Sequence, residues 1–489
     1  YAANEGILHK VKATEWHRAV VAIAALGGDP TNFGTYNGQP INLIADGSYN
    51  CVVKNGPGAQ GINGWIWGLI AMDTGSYEIP ADAKYPRETF IKEILKMQLT
   101  DGVNGNKYGG WVLGGYGTSS DIDISAMAIQ ALAPYYNDDT VYTYVNESSQ
   151  ETVSKTVRQC VDEALDVLGS KQNSKGGFAS WGSENAESIA QVVVALCSVG
   201  IDPAKDARFV TSGGKTVLDG LLQFKLADGG FCHTADTGFN SMANDQATYA
   251  LVSYWRYENG LRSLYDAREA MTSEAESAVK VATNAIEEAS DPTDADYKAQ
   301  LKNALELFQQ VPKAERRYVR NYSALAAAIE LVGGKDALDT NDPYAVSISV
   351  TKNPDKTSYY ADETFDPKGM EVTVLYSDNS TQVVTDYSIS SGEFVVGDFE
   401  IYIYYGILKT SITVEVRERM PWAGEGTEDD PYLIETPDDL LDLNSYIIEG
   451  RIDTTGKHFR MTGDINLKNI ADWKAIAQNS RKGFCGHFD

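Results

Sequence analysis

With 68 acidic against 41 basic residues in 489, the chain carries a formal net charge of -27. Phosphate recognition needs clustered Lys and Arg, so this balance excludes nucleic acid and an anionic membrane surface as partners. No apolar run approaches the roughly 18 residues of a membrane span, and no membrane insertion is expected.

The length fits about three domains, and the sequence changes character at three places. Residues 1–265 repeat a phrase: "QLTDGVNGNKYGGWVLGGYGTSSDIDISAMAIQALAPYY", "KQNSKGGFASWGSENAESIAQVVVALCSVGIDP" and "QFKLADGGFCHTADTGFNSMANDQATYALVSYWRY". Shorter copies stand earlier, in "GAQGINGWIWGLIAMDTGSYEIP" and "ATEWHRAVVAIAALGGDP". Each full copy closes one helix with a Gln. It then passes a Gly-rich turn ending in Gly110-Trp111, Gly177-Phe178 or Gly230-Phe231, and starts a helix rich in Ala, Val and Leu. Repeated helix pairs are the signature of stacked or closed α architectures. The second helix of each pair is apolar nearly all round and is predicted to be buried all round. The first is amphipathic, as in "TFIKEILKMQ", so a double ring of helices is expected.

Residues 266–343 turn charged and amphipathic, in "DAREAMTSEAESAVKVATNAIEEAS" and "ADYKAQLKNALELFQQV", broken by "DPTD". A helical hairpin spacer is the plain reading. Residues 344–417 switch to period two, as in "MEVTVLYSDNSTQVV", which suggests a small β-sandwich. Residues 418–489 hold short β-like pieces, and "GFCGHFD" reads as the interruption of a repeat.

The Gln…Gly-Gly-aromatic turns and "DIDISAMAIQAL" resemble the α/α toroid of the terpenoid cyclase and prenyltransferase superfamily, and more closely the toroids of modular Gram-positive surface proteins. "TKNPDKTSYYADETFDPKGMEVTVLYSDNSTQVVTDYSIS" resembles a bacterial Ig-like domain. "GTEDDPYLIETPDDLLDLN", "FRMTGDINL" and "GFCGHFD" resemble the opening of a GLUG-type repeat region. Together these imply a secreted or cell-envelope protein of several modules: an all-α toroid, a helical spacer, an all-β Ig-like sandwich and a partial β-repeat segment.

Asp121 and Asp123 match the first two acids of the cyclase pattern, where the middle acid protonates an alkene. Ile124 replaces the third. His233 is the only candidate assisting histidine within the repeats. The plainer reading is local: Ser120-x-x-Asp123 has capping-box spacing, and an acid in the first turn meets the positive end of the helix dipole, which lowers its pKa. The resemblance also raises zinc and thioester chemistry. "DID" stands where a zinc-binding prenyltransferase has Asp-x-Cys, and Ala59 stands where a thioester toroid has Cys. Five widely spaced cysteines form neither a disulfide framework nor a zinc set. No metal and no cofactor is expected.

If the second helices run parallel, their N-termini share one end. That end would gather Gln60, Asn63, Trp65, Asp121, Asp123, Trp181, Glu184, Glu187, Asp245 and Gln246. These residues would either cap helices and wedge between them or line a polar and aromatic cup for a glycan or another small polar or amphipathic molecule. Three functions follow: a non-enzymatic binding or adhesion protein, which the sequence favours; a cyclase-like enzyme with Asp123 as general acid; or a structural stalk.

Overall fold

The computed structural model describes residues 6–114, 117–180, 182–390, 394–468, 475–477 and 483–489. It is a mixed helix and strand protein in two compact units. The larger comprises Tyr1–Asp355, Pro367–Gly392 and Glu400–Ile412; the smaller comprises Lys356–Asp366, Glu393–Phe399 and Thr413–Asp489. The division therefore runs inside residues 344–417.

The larger unit begins with α1 (Thr14–Ala25), α2 (Ile62–Asp73), α3 (Arg87–Lys96), α4 (Ile122–Leu132), α5 (Val157–Ser170), α6 (Ala186–Ser198), α7 (Val217–Leu222) and α8 (Ser241–Glu258). Helices α2, α4, α6 and α8 pack in succession, and α1, α3, α5 and α7 each pack on a member of that row. The apolar pattern explains the sorting. Every residue of α6 is buried, whereas α5 buries only Val157, Cys160, Val161, Ala164, Leu165, Val167 and Leu168. Helix α8 departs from the expectation of all-round burial. It buries only Ala243, Ala247, Ala250 and Ser253, and Met242, Val252 and Trp255 are exposed. A stripe of small residues admits close approach to α6, and the remaining faces of α8 carry Asn244, Asp245, Arg256 and Glu258.

The repeated Gln has a physical role. Gln98 Nε2 donates to Gly109 O in its own Gly-rich turn (2.7 Å) and to Cys160 O of α5 (2.9 Å). Gln172 Nε2 repeats the arrangement with Gly176 O (3.1 Å) and Phe209 O (3.1 Å). One buried amide thus satisfies carbonyls of two successive repeats. The aromatic that ends each turn is core: Trp111 and Phe178 have no exposed surface, and Trp111 Nε1 donates to Ile94 O at 2.8 Å.

Two elements were not anticipated. Residues Val141–Val145 and Thr152–Thr156 form an antiparallel hairpin, with Tyr142 and Tyr144 buried and Val141 and Val145 exposed. The expected hairpin spacer also gains a third helix. After α9 (Ser273–Glu288) and α10 (Tyr297–Gln310), α11 (Tyr322–Leu331) docks by stacking Tyr322 on Phe308 at 3.8 Å between ring centroids.

Strands Ala345–Lys352, Glu371–Tyr376 and Thr381–Val384 form an antiparallel sheet in which Val374 faces both Ile348 and Gln382. In the smaller unit, Tyr359 of Ser358–Tyr360 pairs in parallel with Val416. Strands Tyr432–Ile434, His458–Met461 and His487–Phe488 form a second parallel set there. With α12 (Pro437–Glu449) they enclose Trp422, Ile434, Leu443 and Phe459.

Candidate functional site

Three of the row helices start with the same device. The side chains of Asp121, Asn185 and Asn240 accept from the backbone N–H of Ile124 (2.9 Å), Ser188 (2.9 Å) and Ala243 (3.0 Å). Ser120 is not the cap of α4. Its hydroxyl accepts from Gly110 N (2.7 Å) and donates to Asp101 Oδ1 (2.8 Å), so it secures the Gly-rich turn. Asp121 wins the cap because its extended backbone, φ -85° and ψ 138°, places a carboxylate over the third helical N–H.

The helices run parallel. Gln130 of α4 donates to Gln191 of α6 (Nε2 to Oε1, 3.0 Å), and Gln191 donates to Gln246 Oε1 of α8 (2.9 Å). Tyr249 donates to the same Gln246 oxygen at 3.0 Å. Beyond the C-terminus of α4, the Tyr135 hydroxyl donates to Asp73 at the C-terminus of α2 (2.7 Å), which aligns α2 with the others.

The second residue of α2, α4 and α6 is Asn63, Asp123 and Glu187. Each presents a buried side-chain oxygen left without a short hydrogen bond: Asn63 Oδ1, Asp123 Oδ1 and Glu187 Oε1, with the buried Ser188 hydroxyl as the nearest protein donor to Asp123. Glu187 is only 7 % exposed, and its other oxygen lies 2.8 Å from Nδ1 of His233. His233 is held in place by its own carbonyl, which accepts from Ala186 N at 3.1 Å. Burial pushes the Asp123 carboxyl above its ordinary range. The Ser188 hydroxyl beside it pulls the other way, and the charges of Asp121 and Glu187 add to the rise. The expected dipole-lowered Asp123 is therefore corrected: desolvation and like charge outweigh the helix end. Burial likewise raises the Tyr249 phenol, with smaller contributions from Tyr265, Asp123 and Glu187. Tyr265 in turn meets Trp67 edge-on at 5.6 Å.

The structure thus brings together Asp121, Asp123 and Glu187, with Asn63 at the equivalent position of α2. Gln246, expected at a helix start, is instead the sixth residue of α8, because the cap Asn240 starts that helix earlier, and it bonds Gln191 midway along α6. Glu184 lies in the short pair Ala179–Ser180 with Ser183–Glu184, and its Oε1 is also buried without a donor. A Cβ on Gly177 would lie 2.0 Å from that oxygen, so Gly177 leaves the space in which the Glu184 carboxylate rests. Others sit elsewhere. Gln60 accepts from Thr14 Oγ1 (3.3 Å), and Asp245 is exposed. Trp65 is wedged edge-on against Phe90 (5.1 Å) and Tyr85 (6.0 Å), a packing role. Trp181 lies outside the described residues. Sequence reasoning missed Gln130, Gln191, Ser188 and Tyr249; the available signal was a Gln inside each of two otherwise apolar helices.

Chemically, this end of the helix row is rich in acceptors and poor in donors. No Lys or Arg forms an ion pair with Asp121, Asp123, Glu184 or Glu187 among the described residues. Among them, too, no group of three or more His, Cys, Asp and Glu is placed to hold a metal ion. No protein-family model and no curated protein matches this sequence.

Proposed function

We propose that the chain is a secreted or cell-envelope modular binding protein. Its helical part is a toroid-like cup for a hydroxyl-rich molecule such as a glycan, and its β modules, Ig-like and GLUG-like, serve as spacers or adhesive units. The observation that supports this reading is the set of three buried oxygens left without a short hydrogen bond on Asn63, Asp123 and Glu187, at matching positions of successive helices. An unsatisfied buried acceptor is costly, and sugar hydroxyls are the donors that such a set lacks. The ring of Tyr249, close enough to feel the charges of Asp123 and Glu187, adds an apolar face of the kind that stacks on sugars. The absence of a membrane-crossing helix among the described residues is compatible with a surface role.

A glycan array probed with the full chain tests the proposal. Retention of a glycan class that is lost in Asp123→Asn/Glu187→Gln supports it. Absence of retention, or retention unchanged by the double variant, removes it.

One observation favours a second reading. An Asp123 carboxyl raised by burial holds a proton more readily than an ordinary carboxylate, as a general acid requires. Incubation with squalene or geranylgeranyl substrates and mass analysis of the products separates the two readings. Cyclised product that vanishes in Asp123→Asn would replace the binding cup with an enzyme.

A further inference from the structure

A second site lies at the opposite end of the helix row. A cavity of about 310 Å³ is lined by Asp73 at the end of α2, by Pro134 and Tyr135 beyond α4, by Arg87, and by Lys313, Arg316 and Arg317 of the turn Lys313–Tyr318. That volume falls at the lower end of the ~300–1,000 Å³ range of small-molecule sites.

Its charge runs against that of the protein. Around the cavity and the ion-pair network behind it stand six cations: Arg87, Arg262, Arg268, Lys313, Arg316 and Arg317. They face four acids. Asp73 is taken by Arg87 (2.7 Å) and Asp138 by Lys313 (2.9 Å). Asp266 is shared between Arg262, Arg268 and Arg317, and Glu315 between Arg262 and Arg268. Two positive charges therefore remain over, in a chain whose net charge is -27. Arg316 has no carboxylate partner among the described residues and donates only to the carbonyls of Gln309 (2.7 Å) and Val311 (3.2 Å). Arg317 has a side chain 9 % exposed, and its Nε is buried without an acceptor. A buried guanidinium N–H without an acceptor is costly, and the planar fork of Arg matches carboxylate and phosphate oxygens.

We infer that this cavity binds a small dianion, a phosphate monoester or a dicarboxylate, which the surplus positive charge of the cluster attracts and which Arg316 and the unpaired Nε of Arg317 contact. The site is independent of the glycan cup, because Asp73 and Tyr135 mark the C-terminal ends of the helices whose N-termini form that cup.

Calorimetric titration of the full chain with phenyl phosphate, succinate and inorganic phosphate, at constant ionic strength with sodium chloride as control, tests the inference and separates the two sources. Phenyl phosphate or succinate should bind where chloride does not, and should raise the melting temperature. Ala314→Glu places a carboxylate on the cavity wall without removing a side-chain hydrogen bond. It should weaken binding by about tenfold or more through like-charge repulsion. Arg317→Gln should abolish binding; because that variant also disturbs the Asp266 network, its circular dichroism is compared with wild type. Failure of all three probes to bind, or equal binding by wild type and Ala314→Glu, overturns the inference.

Discussion

His17 should make the stability of the helical part fall with acid in a way that one substitution removes. The ring has no exposed surface, and its Nε2 donates to Gly47 O at 2.8 Å. Gly47 and Gly68 pack closely around it, where a Cβ on either would meet Trp16 or Phe90 at 2.4 Å. Burial pushes its pKa down from 6.5 to about 4, and the bond to Gly47 opposes this only in part. Above pH 6.5 the imidazole is neutral in both states and its ionisation has no effect on folding. As the pH falls from 6.5 to about 4, the unfolded chain takes up a proton that the folded chain refuses, so stability declines. At pH 4.5 the loss amounts to about 2–3 kcal/mol, from the two pKa values and linkage. His17→Gln keeps a donor for Gly47 O but does not titrate. Urea unfolding of both proteins at pH 7.5, 6.5, 5.5 and 4.5, followed by helical circular dichroism, measures the difference. Wild type should be the more stable at pH 7.5, and its advantage should shrink by about 2–3 kcal/mol at pH 4.5. Parallel pH curves for the two proteins would refute the reasoning.

Asp121→Ala removes the cap bond to Ile124 N and should cost about 1 kcal/mol of stability, read from the denaturation midpoint. Asp123→Asn should stabilise the protein at pH 7. The folded-state pKa is raised, so the ionised form is disfavoured in the folded protein, and the gain should vanish once both states are protonated in acid; unfolding at pH 7 and pH 3.5 measures it. The sequence alone predicts the reverse sign for this variant, since the dipole effect taken by itself makes the charged form the favourable one. Gly64→Ala should destabilise by at least about 3 kcal/mol, or prevent soluble expression, because its Cβ would lie 1.8 Å from the Pro57 carbonyl oxygen; a melting temperature within error of wild type would show that the turn before α2 relaxes.

What the sequence disclosed tracks the range of the forces involved. Periodicity placed the row helices because burial on every face leaves its mark in consecutive residues, as along α6. The parallel alignment of α4, α6 and α8, and the gathering of Asp123 and Glu187 at one end, followed from the repeat; Gln246 did not, since Asn240 rather than Asn244 starts α8. Asp123's protonation could not be read in the same way. It depends on Glu187 and Ser188, which are distant in sequence, and on desolvation, which no local spacing encodes. Trp65 shows the same limit, since only the approach of Phe90 and Tyr85 decides whether an indole packs or lines a cup. The hairpin at Val141–Thr156 was legible in its alternating "VYTYV", but the helical repeat around it drew the reading away from a period of two.

The glutamine amides that bridge successive turns have an evolutionary consequence. From Gly110 to Gly177 the repeat takes 67 residues, and from Gly177 to Gly230 it takes 53. The longer one contains the hairpin Val141–Thr156. Because Gln98 and Gln172 fix where one repeat meets the next, the chain between those anchor points is free to change length. Insertions then accumulate as excursions between a row helix and the next helix in the chain, while the end carrying Asp123 and Glu187 keeps its alignment. Such a scaffold can diversify one surface while holding another constant.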